Sequence, residues 1–117
     1  MGESYLAGTE YRDSGRKEII LAAALAGLRG QRWQAVLRTD ETTVLLELSC
    51  MVREIIRRED RIETGHLTLD AVSFELVNNT GAKVFFPLSQ FIEARTFPAA
   101  LVLRFDRYEW GFYAQPL

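Results

Sequence analysis

The chain has 117 residues, 48% of them apolar and 11% aromatic, which is enough for one buried core and too apolar for a chain that stays disordered. Its 14 basic and 16 acidic side chains leave a formal charge of -2, so no overall field steers it toward nucleic acid or an anionic membrane. One cysteine and one histidine exclude an internal disulfide and a Cys/His zinc site within one chain, and the expected cofactor and metal content is none.

Residues 1–13 mix polar and small side chains and read as a flexible arm, with Tyr5, Leu6 and Tyr11 as its apolar contacts. Glu3 and Glu10 argue against a secretion signal, which needs a positive start and an apolar run. The longest apolar block, Ile19 to Leu28, is about half of the roughly 20 residues that a bilayer span requires. The expectation is a cytoplasmic protein with no membrane segment and with Cys50 reduced.

Residues 14–30 are predicted to form a helix. Ser14 suits the N-cap, the run Ala22 to Ala26 is strongly helix-forming, and Ile20, Ala24 and Leu28 recur at helical spacing beside Leu21 and Leu25. Gly30 supplies a stop. Because the block 19–28 is apolar nearly all round, the helix should be buried by more than one neighbour.

Residues 31–39 fit either a helix or a strand. The segment 40–60 is expected to be a second helix, because Val44, Leu45, Leu48, Met51, Val52, Ile55 and Ile56 recur at spacings of three and four. Thr39 or Asp40 caps it in this reading, and Arg57, Arg58 and Arg61 lie near its negative end. The competing form is a hairpin of 33–38 against 43–49, turning at 39–42, for which Val44, Leu46 and Leu48 alternate correctly. The helix explains the pattern through Ile56 with one element and is the preferred form.

Gly65 closes the helical half. Leu67 and Leu69 alternate with polar neighbours, and the phase changes before Val72, Phe74 and Leu76, which predicts a bulge near Asp70 and Ala71. Asn78-Asn-Thr-Gly81 predicts a turn, with Lys83 to Phe86 as the returning arm and Pro87 as its end or edge. Ser89 to Arg95 reads as a helical turn or a strand. Phe97-Pro98 is a break, residues 100–105 form a strand with both faces apolar, and Asp106 to Glu109 turn the chain into Trp110 to Ala114. The predicted fold is a single α+β domain over 14–117: two layers, with N-terminal helices (14–62) packed on a C-terminal antiparallel sheet (65–115).

Residues that carry chemistry are sparse. His66, beside Glu63 and Asp70 in sequence, is the one candidate general base. Cys50 lies in an apolar stripe and reads as core. Gly27-Leu-Arg-Gly30 lacks the spacing of a phosphate loop. Arg53, Arg57 and Arg61 would stack on one side of a helix and contact an anionic partner, nucleic acid included, but Glu54, Glu59 and Asp60 interleave with them. The C-terminal aromatics are denser. Arg107, Tyr108, Trp110 and Tyr113 combine an apolar body with a polar tip and are the expected protein-interface residues. The composition therefore points to a non-catalytic interaction or assembly module that self-associates or binds a protein partner. The alternatives are a small hydrolase-type or other enzyme using His66 with nearby carboxylates, and a weak nucleic-acid binder using the Arg53, Arg57 and Arg61 stripe.

Overall fold

The computed structural model describes residues 15–39, 43–65 and 67–115. One helix, α1 (15–26), precedes seven strands: β1 (Arg32–Arg38), β2 (Val44–Thr64), β3 (Leu67–Asn78), β4 (Lys83–Pro87), β5 (Phe91–Phe97), β6 (Ala100–Phe105) and β7 (Glu109–Ala114). All neighbours are antiparallel, in the order β4-β3-β2-β1-β7-β6-β5. The fold is α+β in two layers, with the N-terminal helix packed on the sheet. The predicted arm 1–13 and the residue His66 lie outside the described residues.

Helix α1 forms where the Ala-rich run favours it, and it buries Leu21 and Leu25, with Leu28 in the following turn completing the stripe at i, i+4 and i+7. Beyond 26 the chain turns, and Gly30 takes φ 78°, a conformation that glycine adopts without a Cβ penalty. Trp33 Nε1 donates to the Leu28 carbonyl at 2.9 Å. That bond satisfies a carbonyl left over at the helix end and ties α1 to β1.

The second helix predicted over 40–60 is not formed. Its place is taken by the competing hairpin, with Trp33 opposite Cys50 and Ala35 opposite Leu48, and β2 then runs on for 21 residues. The misleading period has a local cause. Leu48, Cys50 and Val52 alternate on one face, and a register shift between Val52 and Glu54 brings Ile55 onto that face opposite Leu76. Bulges insert one residue and change the phase. Leu48, Val52 and Ile55 therefore fall four and three apart, as on a helix. The helical half 14–62 reduces to α1, and the sheet begins at Arg32.

The bulge predicted near Asp70 and Ala71 is also absent, since the β2–β3 register runs unbroken through both. The change of sequence phase falls where β3 leaves β4, which pairs only with Ser73 to Val77. Beyond that point β3 is paired with β2 alone, so no second strand enforces one face. The Asn78 turn is as predicted. Asn78 Oδ1 accepts from the backbone N–H of Thr80 and of Ala82, both at 3.0 Å, and Gly81 takes φ 90°. Ser89 to Arg95 combines both predicted forms, as a 3-10 turn (Leu88–Gln90) leads directly into β5.

The core is one continuous cluster on the helix side of the sheet. At its centre is Phe86, from edge strand β4. Its ring lies 5.9 Å from that of Phe105 on β6, 6.2 Å from Trp110 and 6.3 Å from Phe112 on β7. Strands near opposite ends of the sheet order thus meet through their side chains, so the sheet curls until its inner face closes on itself. Phe86→Ala is expected to lower the unfolding free energy by about 3–5 kcal/mol. Phe85→Ala, which removes the adjacent but 54% exposed ring, should cost clearly less. Urea titration of both variants checks the contrast.

Candidate functional site

The predicted interface residues divide. Trp110 is buried and stacks on Phe112 at 6.0 Å, so it belongs to the core. Tyr108 is half-buried on Phe105, with ring centroids 5.0 Å apart, and burial pushes its phenol pKa up. Tyr113 is half-buried, its ring lying over Gly111, where an added Cβ would come within 2.7 Å of the ring. Arg107 is exposed. Of the four, Arg107 and Tyr108 share one feature: they line a cleft of about 230 Å³ on the outer face of β5 and β6, with Arg95, Val102 and Arg104.

Arg53, Arg57 and Arg61 do not form a helical stripe, because they lie on β2. Arg57 hydrogen-bonds Glu18 of α1 and also Glu59 at 3.2 Å. Its charge is thus engaged by carboxylates on the helix and on its own strand.

Cys50 is buried between Trp33 and the neighbouring strands, and desolvation pushes its thiol pKa up, which disfavours the reactive thiolate. Among the described residues no group of three or more His, Cys, Asp or Glu side chains is arranged to hold a metal ion. No described helix is long and apolar enough to cross a membrane.

One charged group on the outer face of the sheet is fully enclosed. Glu75 has no exposed surface, although it lies on the sheet face opposite Phe74 and Leu76. Ile56 and Phe85 flank it directly on β2 and β4. Arg58 Nε donates to Oε2, while Oε1 receives no hydrogen bond and faces Lys83 Nζ at 3.1 Å. Strand alternation places all these side chains on one face, but only the strand register, absent from the sequence pattern, reveals the enclosure. The two cations more than balance the carboxylate, and the triad opens onto no described cavity, so it reads as structural.

A second, larger cavity lies on the opposite face of the same rim. It is a groove of about 530 Å³ between α1 and the β5–β6 hairpin. Its walls are mainly apolar and include Ile20, Ala23, Gly27, Ala94, Phe97 and Pro98. Ile20 is 43% and Phe97 51% exposed, and both line the groove. Between groove and cleft runs β5, the last strand of the sheet. The two end strands of the sheet order differ. Strand β4 is five residues long and carries Lys83 and Pro87, features that deter further pairing. Strand β5 has seven residues, and its proline, Pro98, comes only after its end.

No protein-family model, curated protein or solved structure matches this chain. The rim must therefore be interpreted from its own chemistry.

Two outcomes follow from the buried groups. Glu75 has its pKa lowered chiefly by the Arg58 hydrogen bond, from an ordinary value of 4.5. Its contribution to stability is present above that ordinary value and lost as pH falls through the lower folded-state value. Glu75→Gln should depress the urea midpoint at neutral pH, and its difference from the unaltered protein should shrink on acidification; midpoints across the acid range measure this. Cys50 should react with a thiol reagent only when the chain opens, so labelling in native buffer should be slower by orders of magnitude than in denaturant.

Proposed function

We propose that this chain is a non-catalytic protein-interaction module that accepts an additional polypeptide strand on β5. The observation that carries this reading is a seven-residue edge strand, paired on one side only, with a cavity on each face. An extended peptide added to a sheet edge gains backbone hydrogen bonds along its length, and its alternate side chains fall on the two faces. Here one set would enter the apolar groove beside Ile20 and Phe97. The other would meet the cleft where Arg95, Arg104, Arg107 and Tyr108 offer guanidinium groups and an aromatic face. Arginine and tyrosine are among the side chains that most often anchor protein contacts.

The reading keeps Arg107 and Tyr108 as contact residues, leaves Tyr113 at the margin and assigns Trp110 to the core. The mixed charge of the cleft, with Glu93, Asp106 and Glu109 among the arginines, suits a polypeptide of alternating character better than a phosphate backbone.

A displayed peptide library selected against the dilute, folded protein tests this. Enriched peptides should alternate apolar and polar residues, and amide shifts on binding should concentrate in β5, β6 and α1. Absence of enrichment, or shifts centred elsewhere, would overturn the assignment.

A further inference from the structure

We infer that the strand added to β5 is β5 of a second copy of this chain, paired antiparallel about a two-fold axis at Ala94. The inference rests on the strand-accepting reading above and names its partner.

The first observation is which backbone groups are free. Phe97 pairs with Ala100 across the two-residue turn Pro98-Ala99, so those two residues bond each other. Alternation then directs the N–H and C=O of Arg95 and Glu93 to β6, opposite Val102 and Arg104. The same groups of Ala94 and Thr96 point to the open edge. A two-fold axis through an antiparallel strand pair must pass between residues that face each other, and at Ala94 the two outward-facing groups of each copy find their counterparts.

The second observation is charge. With Ala94 opposite Ala94, Glu93 of each copy falls opposite Arg95 of the other, and Arg95 opposite Glu93. These are the closely spaced, non-hydrogen-bonded positions, where cross-strand side chains approach most nearly. Within one chain Arg95 already reaches Glu93 at 3.0 Å and Arg104 lies 3.8 Å from it, so all three project from one face. In the pair, each Glu93 lies between Arg104 of its own chain and Arg95 of the other, giving an alternating ladder across the seam. The strand is complementary to itself in this register, as an isologous contact requires.

The third observation is apolar. Ile92, the extra residue where the β5–β6 register shifts between Phe91 and Glu93, lies at the end of this ladder toward Thr96 of the other copy and is 46% exposed in the single chain. On the helix side the small Ala94 lets the two strands approach and extends the groove wall across the axis.

The decisive experiment is a charge-swap mixture followed by sedimentation and light scattering, with circular dichroism to establish that each variant is folded. The unaltered protein should be a dimer. Glu93→Arg alone places arginine opposite arginine twice, and Arg95→Glu alone places glutamate opposite glutamate twice. Each should raise the dimer dissociation constant by about tenfold or more. Mixed in equal amounts, the two variants should form a heterodimer, because both cross-strand pairs become attractive. Ala94→Pro, at a position whose N–H serves no bond within the chain, repeats the disruption without altering charge. A monomeric unaltered protein, dimers that persist in the single variants, or a mixture that stays monomeric would each overturn the inference. The peptide selection is a separate readout, so the strand-accepting rim can survive failure of this pairing, and persistent dimers in the variants would place self-association on another face.

Discussion

The architecture depends on the ring of Phe86. A five-residue edge strand would contribute little by itself, since it is paired on one side only and offers water its other side. By inserting one fully buried ring among Phe105, Trp110 and Phe112, it closes the inner face of a seven-stranded sheet. The remaining opening in that curve is covered by α1, whose leucine stripe is as deeply buried as the rings. The closure is asymmetric: β4 is drawn into the core through Phe86, whereas β5 contributes Phe91 at its beginning and leaves its later residues at the rim. The groove beside α1 is the space that this asymmetry leaves.

The outer face follows a different rule. Where β2, β3 and β4 lie side by side, Glu75 is enclosed by Ile56, Phe85 and the stems of Arg58 and Lys83. A buried carboxylate is tolerated when cations neutralise it, and long basic side chains cover apolar surface while keeping their charged ends near water. Four charged positions that look like ordinary surface in the sequence thus act differently: Glu75 and its two cations order the sheet face, and Arg57 joins β2 to the helix through Glu18.

Much of the fold was legible, and the failures have local physical causes. The helix over the Ala-rich run, the Asn78 turn, the break at Pro98 and the final strand followed from propensity and turn chemistry. The long strand β2 did not, because one bulge between Val52 and Glu54 converted a period of two into spacings of four and three. Apolar residues on both faces of that strand, such as Cys50 within and Met51 without, removed the alternation that would have signalled it. At the rim, Arg107 and Tyr108 are legible from residue type, whereas the place of Trp110 is not, because its indole nitrogen suggests a polar surrounding that the stacked rings do not provide. Strand order is long-range information, and the strand-end position of β5 had no signature in its own seven residues.

The unequal treatment of the two sheet margins bears on how far assembly can proceed. A chain with two receptive margins would recruit neighbours without limit and grow toward a fibre. Lysine and proline on the short β4 margin discourage pairing there, so that of the two end strands of the sheet order β5 is the receptive one. Growth that uses only this side ends once two molecules have met, so the same feature that permits association also terminates it.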